Sequence, residues 1–341
     1  LKEIRETALV IGGGPAGMEA ALRIGQAGCR VVIAEKQAGL GGLPRGFQSS
    51  FPKWEDPAVI MDRKIAMMRS CPRIEIRTAT EVISGRRTER GFTFELSANG
   101  KTESLEAAAV VLATGFDLFD CSVYGEYGYG IYPGVVTSLE FESRLKAWAA
   151  GEKEAPEAVV FIQCVGSRDR SKGRPYCSKI CCMYTARQAG LFKALHPGAR
   201  CCVFYIDIRA AGKNYEEYVR SVIEEKKVRY IRGRPGKVLP GGKGLLVRAE
   251  DTLMGVPVEV ETDMVVLAPA VVPGRGTRAL AEALHLPADP YGFPEPPAGS
   301  PAGVADGVFI AGGCGFAVNI DEAIRQGAAA AAEVIAYLTK S

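Results

Sequence analysis

The chain has 341 residues, 47% of them hydrophobic, enough for one large or two medium domains with an ample core and unlike a disordered chain. Its 42 basic and 39 acidic residues leave a net charge of +3, so no overall field selects nucleic acid or an anionic membrane as partner. No apolar run reaches the roughly 18 residues that span a bilayer, because Glu333 breaks the alanine-rich C-terminal segment, and membrane contact is expected only through partners.

The first residues, LKEIRETALVIGG, pass from charge straight into a strand without a secretory apolar stretch, which points to a cytoplasmic protein. The chain begins with leucine, so a preceding segment is left open. Ten cysteines without a regular framework suit a reducing compartment, with a metal or redox role for some of them.

A strand is predicted over 8–11, followed by a glycine turn and a helical pattern to about residue 28. This is GxGxxG in the strand-turn-helix setting it requires. Gly12 permits the tight turn, Gly14 lets the backbone approach a pyrophosphate, and Gly17 lets the helix pack closely on the sheet. The phosphates would sit on the helix N-terminus at Pro15 and Ala16. A second strand over 30–34 ends at Glu35, an acid placed to bind adenosine ribose hydroxyls. A tight turn with no ligand is the plainer alternative.

Glu35-Lys36 followed by Gly39, Gly41 and Gly42 resembles the EK…GG segment of flavoproteins with two dinucleotide-binding domains. Ala113-Thr114-Gly115, after a strand over 109–112, resembles the ATG motif of the same superfamily. That resemblance implies FAD rather than NAD. Between the motifs, short strands over 74–77 and 80–84 and a hairpin of 92–96 with 102–105 around Asn99-Gly100 are expected to form the small sheet of such domains. A helix over 139–150 and the linker GEKEAPE are expected to close the first domain.

From 158 to about 270 the order is strand, cysteine loop, helix, strand, helix and strands, a second βαβ-type unit. Its first turn lacks GxGxxG. A strand over 159–162 instead leads to Cys164, Cys177, Cys181 and Cys182, a C-x12-C-x3-C-C pattern whose last three cysteines lie at the entry to a helix expected over 178–195. Disulfides suit neither the compartment nor the adjacent pair, and one tetrahedral metal would need both vicinal sulfurs. An iron–sulfur cube gives each thiolate its own iron, while buried apolar thiols are the plain alternative. The basic loop 168–174 could balance a cluster, dock a partner or simply be solvated.

After a proline-rich connector over 287–301, a strand over 308–311, a turn at Gly312, Gly313 and Gly315, and a helix over 320–338 with Asn319 as N-cap return the chain to the first domain. In related flavoproteins this return sets a helix N-terminus beside the flavin pyrimidine ring, which implies Gly312, Gly313, Asn319 and Ile320 at the cofactor and Gln326 near the isoalloxazine. Many relatives carry an aspartate after the first glycine, where Gly313 and Cys314 stand here. The two histidines, His196 and His285, are expected at the surface.

The strings VIGGGPAGMEAAL, VVLATGFDLFD, GEYGYGIYPGVVTSLEFE, FIQCVGSRD, YCSKICCMY and FYIDIRAAGKNYEE together resemble the flavin and iron–sulfur subunit of heterodisulfide reductase and its relatives in quinone-modifying oxidoreductases. The resemblance implies an α/β fold of two thioredoxin-reductase-like Rossmann domains, with an NAD-domain-like insertion at 151–275 inside an FAD-binding domain of 1–150 and 276–341. It implies a 4Fe-4S cluster on Cys164, Cys177, Cys181 and Cys182, and partners that are iron–sulfur subunits of a redox complex, with a quinone-linked membrane subunit reached indirectly. The family's inserted ferredoxin module is represented only by Cys71. Arg187 stands where electron-bifurcating members carry a flavin-proximal lysine, and arginine does not readily release a proton, so a plain electron relay is expected. Two other readings stand beside it. A stand-alone NAD(P)H-dependent disulfide reductase would need Cys314 or the clustered cysteines in place of a CxxC pair, and an FAD-binding scaffold would not turn over.

Overall fold

The computed structural model describes residues 7–152, 154–242 and 244–340, so the charged start and Lys153 of the expected linker lie outside the described residues. The elements open with β1 (Thr7–Ile11), α1 (Pro15–Gln26), β2 (Arg30–Ala34), α2 (Pro57–Arg69), β3 (Ile74–Arg77), β4 (Thr80–Thr88), β5 (Gly91–Ala98), β6 (Lys101–Ala107), β7 (Ala109–Leu112) and β8 (Phe116–Leu118). There follow β9 (Val135–Thr137), α3 (Ser138–Ala149), β10 (Ala158–Val165), α4 (Cys181–Leu195), β11 (Arg200–Tyr205), α5 (Tyr215–Glu224), β12 (Arg229–Arg232), β13 (Lys237–Pro240), β14 (Leu245–Asp251), β15 (Val256–Thr262) and β16 (Met264–Pro269). The chain closes with β17 (Val271–Pro273), α6 (Arg275–Ala283), β18 (Gly303–Ala305), β19 (Val308–Ile310) and α7 (Ile320–Lys340). No described helix is long and apolar enough to cross a membrane.

Two compact units form, one from the chain up to Gly46, Pro57–Asp117 and the chain from Val272, the other from Phe47–Asp56 and Leu118–Val271. In the first unit a six-stranded sheet runs β18-β19-β7-β1-β2-β3, parallel except for the β18–β19 pair. The continuous apolar runs of β1, β2 and β7 are those of strands covered on both faces. On one face α1 and α7 pack so closely that a Cβ on Gly327 would stand 2.3 Å from the Ala16 carbonyl oxygen. On the other, Phe92, Phe94 and Leu96 of the antiparallel sheet β4-β5-β6 meet Leu9, Val32 and Val110. Its β5–β6 turn is the expected Asn99-Gly100, at φ 51° and 76°. β3 was expected in this small sheet. It pairs instead in parallel with β2, Val31 opposite Ile74, and so edges the main sheet.

The second unit is built on a parallel sheet ordered β12-β11-β10-β16-β9, with an antiparallel β13-β14-β15 sheet beside it. Phe141 of α3 packs edge-on against Phe161 of β10 and Phe192 of α4, at 5.1 and 6.2 Å between ring centroids. Tyr218 and Val222 of α5 join the same core. These contacts move the divisions from the expected 150/151 and 275/276 to 117/118 and 271/272. β9 adds a strand to the second sheet, and α3, capped by a Thr137–Glu140 box, belongs to the second core rather than closing the first. Residues 47–56 join that unit too, with the Trp54 ring 4.7 Å from Tyr218. His285 is exposed as expected, but His196 is half-buried against Phe192 and Trp148.

Candidate cofactor sites

In the first unit the C-terminal ends of β1, β2 and β7 bring three glycine-bearing turns together. Gly12 has φ 110°, and a Cβ there would stand 2.3 Å from the Ala113 carbonyl oxygen. On Gly17 a Cβ would stand 1.9 Å from the Gly12 oxygen, so these two glycines close the turn onto the sheet. Gly14 differs: a Cβ there would meet nothing within 4 Å, and it caps α1, whose first turn contains Pro15 and no acid. The first N–H groups of α1, which have no partner within the helix, and the positive helix end are left for an anion. Gly42 lies across from Gly14, and the Gly41 N–H donates to the Gly13 oxygen at 2.8 Å.

Glu35 is 7% exposed, and its two oxygens accept the N–H groups of Gly13 at 2.6 Å and Gln37 at 2.7 Å. The acid at the end of β2 therefore ties the glycine turn to its strand. Lys36 beside it is exposed. Thr114 bonds Thr277 of α6, 2.6 Å between hydroxyl oxygens, and Gly115 follows at φ 74°.

The return strand β19 leads into a turn at Gly312, whose N–H donates to the Gln326 side-chain oxygen at 2.9 Å, tying the turn to α7. Gly313 abuts Phe116. Asn319 caps α7 as expected: its side-chain oxygen accepts the Glu322 N–H at 2.8 Å, and Glu322 accepts the Asn319 N–H at 3.0 Å, just before Ile320 opens the helix. A cavity of about 280 Å³ opens beside this turn, lined by Gly312, Phe316 and Gln326 with Phe293 and Pro294 of the connector. Cys314 is fully buried and its thiol donates to the Leu112 carbonyl at 2.9 Å. Burial pushes its pKa up to about 11, so it is no ready nucleophile.

In the second unit Cys164, next to last in β10, has φ 61°, where the register against β16 shifts between Ile162 and Val165. That irregularity gives a buried strand residue a left-handed backbone just before the loop. Cys177 precedes α4 and its sulfur accepts the Lys179 N–H at 3.3 Å. The helix expected from 178 starts instead at Cys181, because the Ser178 hydroxyl takes the Val271 N–H and holds the chain outside it. Cys181 and Cys182 thus occupy the first turn of a helix with no acid there and no side-chain cap. Cys182 accepts the Arg209 N–H at 3.3 Å, and its thiol faces Gln163 Oε1 at 3.5 Å.

The four sulfurs lie within electrostatic reach of one another. Burial, then the Cys182 charge, pushes Cys164 up to about 11, against the opposing pull of Arg168 and Arg234, and burial raises Cys181 and Cys182 as well. Among the described residues no group of three or more His, Cys, Asp or Glu is arranged to hold a single metal ion. One buried donor there nevertheless lacks a partner, Gln163 Nε2. An unused donor beside sulfurs at a helix N-terminus fits an anionic, acceptor-rich group better than it fits four inert thiols.

The basic loop is not simply solvated. Asp169 accepts the Tyr124 hydroxyl at 2.5 Å and Arg234 at 2.8 Å, while Lys172 and Arg174 lie 4.9 Å over the rings of Tyr124 and Phe119. Arg168 pairs with Asp207 at 2.7 Å. Arg187 is 2% exposed, with its guanidinium forked onto Glu142 at 2.8 and 2.6 Å and lying over Phe47. Gln188 donates to the same carboxylate at 2.9 Å. Sequence reasoning missed Glu142, Gln163, Gln188 and Arg234, whose partners are too distant along the chain for any spacing to reveal them.

Residues 7–160 match the sequence model of the pyridine nucleotide-disulphide oxidoreductase family. Over 98% of its length the chain is 30% identical to an iron–sulfur subunit of the CoB–CoM heterodisulfide reductase of Methanopyrus kandleri, and over 97% it is 31% identical to the corresponding subunit in Methanocaldococcus jannaschii. It spans 65% and 64% of those relatives' lengths. Over 69% of the chain it is 37% identical to one subunit of the H(2):CoB-CoM heterodisulfide,ferredoxin reductase of Methanothermobacter thermautotrophicus, of which it covers 38%. Among solved structures, thioredoxin reductase of T. acidophilum superposes with TM-score 0.69 at 20% identity, covering 97% of this chain and 99% of that one. Thioredoxin reductase of Lactococcus lactis gives 0.70 at 16%, covering 99% and 100%. The structural likeness bears out the expected fold, and the sequence relatives bear out the resemblance.

Proposed function

We propose that this chain, a relative of the CoB–CoM heterodisulfide reductase iron–sulfur subunits, is the FAD-binding and iron–sulfur electron-transfer subunit of an oxidoreductase complex. FAD would supply two-electron exchange and a 4Fe-4S cluster one-electron exchange, which suits a relay between carriers of different kinds. The observation that carries the proposal is the gathering of four cysteines, with an unpaired buried amide, where a second dinucleotide-binding unit would otherwise have its glycine turn.

In this reading Gly12 and Gly17 shape the first turn and Gly14 leaves room for the pyrophosphate, which the N–H groups of Ala16 and Gly17 receive in the first turn of α1 that Pro15 opens. Glu35 holds that turn and offers its carboxylate to the ribose, with Lys36, Gly41 and Gly42 along the neighbouring loop. Ala113, Thr114 and Gly115 line the opposite side. Gly312, Gly313, Asn319 and Ile320 present the start of α7 to the flavin, and Gln326 fixes that turn through Gly312. Cys164, Cys177, Cys181 and Cys182 hold the cluster. Arg187, with both terminal nitrogens bonded to Glu142, supplies fixed positive charge rather than a proton, which favours a plain relay. Partners would be iron–sulfur subunits of a cytoplasmic redox complex, and a quinone-linked membrane subunit would be reached only through them.

The buried, hydrogen-bonded thiol of Cys314 argues against a stand-alone disulfide reductase that uses it. Purification or reconstitution without oxygen, with flavin and iron counted per chain, tests the proposal. One FAD and about four irons are expected. Full flavin with no iron or acid-labile sulfide would overturn the cluster half.

A further inference from the structure

Gln163 sits in β10 between Ile162 and Cys164 and is 3% exposed. Its amide is only half used. Oε1 faces the Cys182 thiol at 3.5 Å, and Nε2 is buried without a hydrogen-bond partner. A buried amide donor without an acceptor is rare in a folded chain, and this one stands one residue before Cys164, with its other end at Cys182. The thiol and metal-bound states of Cys182 make opposite demands on that amide. A thiol can donate to Oε1, whereas a metal-bound sulfur has lost its proton and only accepts. The two ends of an amide exchange by a half-turn, so one side chain serves either state.

Cys182 already receives one donor, the Arg209 N–H at 3.3 Å. Each N–H directed at a thiolate stabilises negative charge on it, and a cluster gains negative charge on reduction. Resting on the reading that the four cysteines hold a 4Fe-4S cluster, we propose that Gln163 is a tuning residue: its side-chain amide donates an N–H···S hydrogen bond to the Cys182 thiolate and raises the cluster's reduction potential. The amide acts through the sulfur and ligates nothing itself, so its loss should move the potential while leaving the iron in place.

The experiment uses the full chain reconstituted without oxygen, with iron counted first and the cluster then titrated by electron paramagnetic resonance at poised potentials. Wild type without iron would overturn the cluster reading, and this inference with it. With iron present, Gln163→Leu is expected to keep the wild-type iron content and to lower the ratio of reduced to oxidised cluster about tenfold at a fixed potential, a midpoint about 59 mV lower for one electron. Gln163→Glu, which places an acceptor where the donor was, should lower it further. A Gln163→Leu protein with wild-type iron and wild-type midpoint would overturn the inference while leaving the cluster reading intact. Should Gln163→Leu lose its iron, the decision passes to wild type labelled with 15N in glutamine side chains. Electron-nuclear double resonance of the reduced cluster should then show a 15N coupling, and its absence would overturn the inference.

Discussion

Replacing Arg187 by methionine should be among the most damaging single changes in the second unit. Both side chains of the Arg187–Glu142 pair are 3% exposed, and the two bonds, 2.8 and 2.6 Å, form a charged fork. Without Arg187 the Glu142 carboxylate keeps only Gln188 Nε2 at 2.9 Å and the Gln48 N–H at 3.2 Å, both neutral donors. An uncompensated charge in such a place costs about 3–5 kcal/mol. The double change Arg187→Met with Glu142→Leu removes both charges and should cost about 0–2 kcal/mol, about 3 kcal/mol less than Arg187→Met alone. Both tryptophans, Trp54 and Trp148, lie in this unit, so intrinsic fluorescence during urea unfolding reports it selectively. Arg187→Lys keeps the charge but loses the fork, and should fall between wild type and Arg187→Met. A single-variant loss below about 1 kcal/mol would refute this account of the pair.

Gly17→Ala should lower both flavin retention and the stability of the first unit, since its Cβ would overlap the Gly12 oxygen at 1.9 Å. Gly14→Ala should fold normally, having open space, yet release flavin because its methyl projects where the pyrophosphate would lie; thermal melting and fluorescence of released flavin separate the two. Cys181→Ser should lose iron in a metal assay while its flavin spectrum is unchanged. Cys314 is raised by burial from 9.0 to about 11, so the folded state holds a proton that the unfolded state releases. The stability this contributes is fully present below about pH 9 and is lost as pH rises through about 11, a drop on the order of 2 kcal/mol. Cys314→Ala should flatten that slope in unfolding curves taken across the range.

Wherever local chemistry dictates local structure, the sequence was legible. The GxGxxG turn, the Asn99-Gly100 hairpin and the Asn319–Glu322 cap each follow from two or three residues at fixed spacing, and each is found where expected. Helix α2 was missed although Met61, Ile65 and Met68, its buried face, recur at helical spacing. The alternation in Ile74-Glu75-Ile76-Arg77 suits an edge of either sheet, and only the pairing with β2 decides between them. Tertiary packing also decided the ownership of α3, whose Phe141 finds its partners 20 and 51 residues onward in Phe161 and Phe192. The cysteine spacing was visible, but the left-handed turn at Cys164 and the unpaired amide of Gln163 were not, because both depend on how β10 meets β16 and β11.

The relay itself is tested most directly by rapid mixing of reconstituted protein with less than one equivalent of a two-electron reductant. Flavin absorbance and the cluster's paramagnetic signal are then followed in samples frozen over milliseconds to seconds. In such a relay flavin bleaches first and the cluster signal grows as flavin colour returns, at one shared rate. Flavin that stays reduced beside an oxidised cluster, at potentials where transfer is downhill, would contradict it.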